Sequence, residues 1–452
     1  MADTKGKALS KDKGINIREL ALDILMEVSK NGEKSHVILK AVLDKYDYLP
    51  IQDKGFLRRL VSGTIEYRLR LDYVIDRFSK VKVNKLKPLI RELLRLSIYQ
   101  LLYMDRVPDS AVCNEAVKLA SKRGFKSLSG YVNGVLRAIA RGRNDIKWPD
   151  ENAGDDTIYA LSIKYSCPEP IIKSLIDDYG YDTCVSCLEA SLSDNRGVYV
   201  RIDESLSEDK ISEIKSKILS EPETVEELPY AVRTLHPDKV TSSGEFADGL
   251  ITIQDISSMS VCEMAELEDY KGKKINILDM CAAPGGKTLH AVSKMKRYGI
   301  DGEIKSLDVS ELKVDLIKEN IRRMHCEEYV KCGVWDATVY DETCKEKYDI
   351  VLADIPCSGL GVIARKPDIK YNITDEGLES LEALQRQIID NAAKYVKPGG
   401  RLILSTCTMR KKENEDNVAR LVDTGGFKLQ KSRQLFLSDT HDGFFTAVLN
   451  KE

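Results

Sequence analysis

Two cysteines close apolar runs in the second half of the chain. Cys357 lies in ADIPCSGLG, three residues after Asp354 and directly after Pro356. Cys407 lies in LILSTCTMRKKENE. A thiolate is a strong nucleophile, and reactive thiols sit in an identifiable activating setting. Taken singly, each cysteine reads as a small buried hydrophobe, the commoner fate of an unpaired cysteine. Taken together, in these flanks, they read as reactive thiols, and the residues alone leave either one eligible as the nucleophile.

A second constellation lies upstream, in LDMCAAPGGKT. An apolar strand runs into the small residues Cys281, Ala282, Ala283, Pro284, Gly285 and Gly286, then into Lys287 and a helix-compatible segment. Glycines let a backbone approach a ligand closely, and a new helix turns its first N–H groups toward it. The dinucleotide pattern G-x-G-x-x-G is absent, and so is the P-loop spacing. Asp308 in SLDVS ends the next strand, where an acid can accept both hydroxyl hydrogens of a ribose. Asp336 in VWDAT ends the third, where a carboxylate can take an adenine amino group. Singly, each aspartate is better explained as a helix N-cap, a role that suits Asp308 and Ser310. Acids ending consecutive strands beside a glycine-rich turn point instead to an adenosine ligand. Without a phosphate-binding Lys/Ser pair, S-adenosyl-L-methionine fits better than ATP or NAD.

These residues need a scaffold that brings strand ends together. From about residue 271 the pattern is strand, loop, helix, repeated: INILDMC, EIKSLDVS, YVKCGVWD, YDIVLADIPC and GGRLILSTCT as strands, with FFTAVLN as a last candidate. Such alternation predicts an α/β fold with a parallel doubly wound sheet, whose ligands sit at the strands' carboxyl ends. Residues 15–145 read differently. In INIRELALDILMEVSK, Ile17, Leu20, Ala21, Ile24, Leu25 and Val28 form one helical stripe. KGFLRRLVSGTIEYRLRLDYVIDRF and PLIRELLRLSIYQLLYM continue the helical pattern, so an all-α bundle is expected. Residues 150–270 mix the two, with helices broken at Pro168 and Pro170, strands in RGVYVRID and YAVRTL, and a helix in EDKISEIKSKIL. The expected organisation is a flexible tail over 1–14, a helical domain over 15–145, a small α+β linker module over 150–270 and a catalytic domain over 271–452.

The 452 residues carry a formal net charge of −3, but unevenly. Residues 1–150 hold 30 Lys+Arg against 18 Asp+Glu, a surplus of +12, and the rest carries −15. A basic amino-terminal third suits a polyanion partner as well as it suits a solvated surface. Lys122, Arg123, Lys126, Arg137, Arg141 and Arg143 crowd one stretch, interleaved with Phe125 and Tyr131. Those aromatics could stack on bases, though packing inside the bundle is the commoner fate. No apolar run is long enough to span a membrane. The 11 cysteines and the polar first residues predict a reducing, cytoplasmic setting. Cys184 and Cys187 form a lone CxxC without a second ligand pair, so no metal site is expected and buried structural thiols are.

The carboxyl region resembles the RNA cytosine-5 methyltransferase family. LDMCAAPGGKT resembles that family's cofactor motif, DIPCSGLGV its Asp-x-Pro-Cys motif, and STCTMRKKENE its Thr-Cys motif with the trailing Glu-Asn-Glu. ARKPDIK and ITIQDISSM resemble further family segments, with Lys366 where histidine is frequent and Tyr371 where tryptophan is. The amino-terminal bundle resembles the NusB fold, and the combination is similar to bacterial 16S rRNA enzymes of this family. The resemblance implies a Rossmann-like methyltransferase domain behind a NusB-like bundle. It also implies Cys407 as nucleophile, Cys357 as the residue assisting product release, and Asp354 as the contact to the target cytosine close to the cofactor. The cofactor loop is then Cys281 to Lys287, with Asp308 on the ribose and Asp336 on the adenine of S-adenosyl-L-methionine. The implied partner is 16S rRNA, and a monomer is expected. A tRNA methyltransferase of the same chemistry, a non-catalytic RNA-binding factor, and a small-molecule or protein methyltransferase are the alternatives.

Overall fold

The structure, a computed structural model, describes residues 15–452 apart from 151, 153–155, 194–196, 219–222 and 225–227. The expected tail over 1–14 lies outside the described residues. The chain groups into two compact units. One comprises the chain up to Glu169 together with Lys366–Asp368, and the other Pro170–Arg365 with Ile369–Glu452.

The first unit is helical. Its elements are α1 (Ile17–Asn31), α2 (Ser35–Lys45), α3 (Ile51–Glu66), α4 (Arg68–Phe78), α5 (Pro88–Tyr103), α6 (Asp109–Lys122), α7 (Ser129–Gly142) and α8 (Thr157–Tyr165). Asn16 caps α1 by accepting from the Glu19 N–H, and Gly32 ends it at a φ of 66°. Of the expected stripe on α1, Ile17, Ala21, Ile24 and Leu25 are buried. Leu22 is buried too, while Leu20 and Val28 stay half-exposed. The helix is rotated slightly because two neighbours, α3 and α5, share its face. The single run read across KGFLRRLVSGTIEYRLRL breaks at Tyr67 into α3 and α4. Helix α2 was not legible, since it buries only Ser35 and Leu43. Helix α5 is buried on all sides, and its Arg95 is matched by Asp72 at 2.6 Å and Glu92 at 2.7 Å. A buried charge needs such pairing.

The second unit opens with α9 (Glu169–Tyr179) and α10 (Tyr181–Ser191). Pro170 does not break α9 but sits in its first turn, where a missing N–H costs nothing. Cys184 and Cys187 are buried on α10, and neither forms a disulfide. A small antiparallel sheet follows. It consists of β1 (Val198–Ile202), β2 (Glu223–Thr224), β3 (Ala231–Thr234) and β4 (Ile251–Ile253), in the order β2-β3-β1-β4. Helix α11 (Glu208–Ile218) lies between β1 and β2 in the chain, and the short helices α12 (Pro237–Thr241) and α13 (Gly244–Ala247) between β3 and β4. Ile214 of α11 and Val240 of α12 join Val200, Ile202, Val232 and Ile251 in one apolar core. Helix α14 (Ile256–Met264) leads out of this module.

The main sheet comprises β5 (Lys274–Asp279), β6 (Asp301–Asp308), β7 (Val330–Val334), β8 (Tyr348–Asp354), β9 (Val396–Thr406), β10 (Phe427–Leu435) and β11 (Phe444–Lys451). Helices α15 (Gly286–Tyr298), α16 (Glu311–Arg323), α17 (Asp375–Tyr395) and α18 (Glu415–Asp423) connect them. The order is β10-β11-β9-β8-β5-β6-β7. Strands β5 to β9 are mutually parallel where they pair, as the βαβ alternation requires. The sheet is not wholly parallel, because β11 runs antiparallel between β9 and β10. Strand β10 escaped the sequence reading because FKLQKSRQL buries little beyond Phe427, the signature of an edge strand. The strand order reverses at β5, between β6 and β8. A crevice at the carboxyl ends of the strands follows from that switch.

Candidate active site

Five strand ends deliver four expected residues and one further acid, Asp279, to one edge of the sheet. Asp279 ends β5, Asp308 ends β6, Asp354 ends β8, Cys407 directly follows β9, and Asp336 lies two residues beyond β7. The loop from Cys281 to Gly285 is tied down by backbone. Ala282 N–H donates to Leu307 O at 2.9 Å and Gly285 N–H to Ala282 O at 2.6 Å. Gly285 has a φ of 99°, a left-handed value that favours glycine there. Helix α15 begins at Gly286, so its first N–H groups face the same edge.

The aspartates divide by environment. Asp308 is buried, accepting from Ala283 N–H at 3.0 Å and Val309 N–H at 2.8 Å, with the Lys313 ammonium at 3.0 Å. It is not the N-cap of α16. Ser310 takes that part. Asp336 is exposed and accepts from Thr338 N–H and hydroxyl at 2.9 and 2.7 Å, which holds its carboxyl below the usual range. Asp354 accepts from Ser405 at 2.7 Å and pairs with Lys287 at 2.7 Å. Burial alone would lower the Lys287 ammonium's pKa, but Asp354, with Asp279 and Cys262, more than offsets it and the pKa rises. Asp279, which the sequence reading passed over, is fully buried. It accepts from Thr288 at 2.7 Å, and its second oxygen meets no hydrogen-bond partner among the described residues. Burial pushes its carboxyl up to about 7.

The two cysteines meet. Their Sγ atoms lie 3.3 Å apart, both thiols half-buried and not joined in a disulfide. Contact with Cys407, and then burial, push the Cys357 thiol well up, because two thiolates cannot share so small a space. The glycines of ADIPCSGLG make this approach possible. Gly361 N–H donates to Cys407 O at 2.9 Å, and Gly443 N–H to Gly361 O at 2.9 Å. A Cβ on Gly361 would fall 1.9 Å from Gly443 O. The Arg365 guanidinium fixes the following segment, reaching Asp442 at 3.0 Å and Asp255 at 2.9 Å.

Away from this edge, Glu204, Glu263 and His290 bring ligand-type atoms within 4.8 Å of one another. The Lys294 ammonium lies 2.8 Å from Glu263 and 3.5 Å from Glu204, so it already supplies the positive charge there. Burial holds the His290 imidazole well below its ordinary pKa. This network fastens α15 to the small module. In the bundle, three of the six crowded basic residues are matched internally: Lys122 and Arg123 by Glu19 at 2.6 and 3.3 Å, and Arg143 by Asp109 at 2.9 Å. Phe125 and Tyr131 are both half-buried, and Tyr131 shares a hydrogen bond of 2.7 Å with Ser79.

A Rossmann-like domain with a helical NusB-like unit before it in the chain defines a class of two-part methyltransferases. Residues 266–450 match the family described as 16S rRNA methyltransferase RsmB/F, and residues 15–141 match the NusB family. The chain is 36% identical over 407 residues to the probable ribosomal RNA small subunit methyltransferase B of Bacillus subtilis (strain 168), covering 89% of this chain and 87% of that one. It is 29% identical over 448 residues to ribosomal RNA small subunit methyltransferase B of Escherichia coli (strain K12), covering 97% and 99%. The solved structure of PH0851 superposes with a TM-score of 0.77 at 24% identity, covering 98% of this chain and all of that one. NSun6 from Pyrococcus horikoshii, solved with SFG, gives 0.53 at 21% identity over 63% of this chain and 98% of that one. The chain belongs to the ribosomal RNA small subunit methyltransferase B family, and it is a methyltransferase. Among the described residues no helix is long and apolar enough to cross a membrane.

Proposed function

We propose that the protein transfers a methyl group from S-adenosyl-L-methionine to carbon 5 of a cytosine in 16S rRNA, through a transient bond between Cys407 and carbon 6. The observation that carries this reading is the pair of thiols 3.3 Å apart at the ends of β8 and β9, beside Asp354. The relatives' names supply the RNA class.

The residues at the β5–β6 end fit a cationic adenosine ligand. Burial pushes the Cys281 thiol up, and Asp279, Asp354 and Asp308 push it further, which reports a negative field at the loop. A sulfonium and an ammonium suit that field, and a polyphosphate does not. The loop from Cys281 to Lys287 would hold such a ligand, with Asp308 on its ribose and Asp336 on its adenine. SFG in the related archaeal structure is an analogue of the same molecule. When bound, S-adenosylmethionine supplies an electrophilic methyl group.

Carbon 5 of cytosine is too weak a nucleophile to take that group unaided. A Cys407 thiolate adding to carbon 6 turns the ring into an enamine, splitting one hard step into two easier ones. Asp354, held by Ser405 and Lys287, takes the proton that Cys407 gives up and passes it to ring N3, which stabilises the adduct as a neutral enamine. Carbon 5 is methylated and must then lose its proton. Once Cys407 is bonded to carbon it can no longer ionise, so the main influence raising the Cys357 thiol disappears. Cys357 can then give its own proton to solvent and, as a thiolate, take the carbon 5 proton. The carbon–sulfur electron pair returns to Cys407, and 5-methylcytosine leaves.

The test is incubation of the full chain with labelled S-adenosylmethionine and, in parallel, unmodified 16S transcript or unmodified tRNA, followed by mapping of 5-methylcytosine. Methylation of one cytosine is expected. Label entering tRNA but not 16S rRNA, or entering neither, overturns the reading.

A further inference from the structure

We propose that Glu413 is a positioning residue for the two thiols. It is a buried clamp that grips the residue after each cysteine and so sets the distance between them. The inference rests on the reading of Cys407 as nucleophile.

Glu413 lies in the Glu-Asn-Glu that trails the second cysteine motif, and its side chain is wholly buried. One carboxylate oxygen accepts from the Ser358 N–H at 2.8 Å and from the Gln385 amide at 3.0 Å. The other receives the Arg410 guanidinium at 3.2 Å and a longer contact from the Thr408 hydroxyl at 3.5 Å. Ser358 follows Cys357, and Thr408 follows Cys407. A single carboxylate thus spans the two cysteine loops, and the Ser358 and Thr408 hydroxyls complete the ring at 2.7 Å.

The clamp is itself held. Gln385 on α17 also donates to Pro356 O at 2.9 Å and accepts from Asn417 at 3.2 Å. Arg410 reaches Glu382 at 3.3 Å. Asn414, the next residue, donates to Thr408 O at 3.1 Å. A buried carboxylate is costly unless every lone pair is used. Here the bonds go to the residues flanking the reactive sulfurs, where sub-ångström placement matters to a covalent step. Glu413 also faces Cys357 as a negative charge and adds to the rise in that thiol's pKa. Glutamate is required by length, since aspartate could not span both loops, and by charge, since glutamine offers one acceptor where two are used.

The experiment compares Glu413→Ala and Glu413→Gln with wild type. Two readouts are used: methylation kinetics on 16S transcript, and the rate at which a diazene oxidant closes Cys357 and Cys407 into a disulfide, taking up their two hydrogens as it becomes a hydrazine. Mass spectrometry of the linked peptides follows closure. Both variants are expected to close the disulfide at least tenfold more slowly, and Glu413→Ala to lose roughly 100-fold in kcat with KM nearly unchanged. Glu413→Gln, which keeps the length, is expected to fall between and to guard against a folding failure of the alanine variant. Closure at the wild-type rate in both variants overturns the inference. If Cys407→Ala stays active while closure is slowed, the clamp stands and the nucleophile assignment falls.

Discussion

Two ends of one sheet edge meet opposite electrostatic demands. At the β5–β6 end the carboxylates of Asp279 and Asp308, with Asp354 from the neighbouring β8, act on a loop held mainly by backbone hydrogen bonds, an arrangement suited to a cation. At the β8–β9 end two thiols are pressed together, and their contact opposes ionisation of Cys357. The first end needs close backbone approach, so it is built from alanine and glycine. The second needs fixed side-chain distances, so it is built on a buried glutamate. Ligand recognition tolerates local adjustment, whereas a bond-forming thiol does not.

Cys407→Ala should separate the ends most sharply. Methylation should be abolished while cofactor affinity, measured by calorimetry, stays within about twofold. Normal turnover would remove the functional distinction between the ends. Cys357→Ala should leave bond formation intact and stop release. It should accumulate a protein–RNA adduct that survives denaturing electrophoresis, and absence of that band would argue against its part in release. Asp308→Ala acts on the other end. Loss of charge-assisted hydrogen bonds worth about 1.5–3 kcal/mol should weaken cofactor binding roughly 10- to 150-fold, without slowing oxidant-driven closure of the thiols. An unchanged affinity would refute the ribose contact.

Asp279 acts on stability instead of turnover or binding, and it gives a pH signature. Its folded carboxyl is raised to about 7 from 3.8, so the folded state holds a proton that the unfolded chain has released. That contribution is fully present below the unfolded value and is lost as pH rises toward 7, with a slope of about 1.4 kcal/mol per pH unit. Asp279→Asn should remove this slope. Relative to wild type, the variant should gain stability from about pH 4 to pH 7 in urea titrations. Parallel pH profiles for the two proteins would show that the buried carboxyl does not titrate there.

Much of this was legible in the chain. The βαβ alternation placed β5 to β9, and the motif residues fell at strand ends because such sheets gather ligands there. Helices of the bundle were readable where a stripe was apolar, as in α1, and unreadable where it was not, as in α2. Asp308 could be singled out, but its freedom from the N-cap role could not, because Ser310 two residues on competes for it. Asp279 sits inside the very motif that drew attention to the glycines. Its burial depends on Thr288 and Ser306, which only folding brings near.

The sequence by itself determined which side chains the protein would bring to its sheet edge. Periodicity and turn residues are local properties, and they assign strand ends without reference to the rest of the fold. Tertiary structure alone decided that the sulfurs of residues 357 and 407 would touch, that Lys287 would pair with Asp354, and that Glu413 would join two loops 50 residues apart. Those are distances between segments remote in the chain. They are set by strand register and by the packing of α17 against the sheet, which no local pattern encodes.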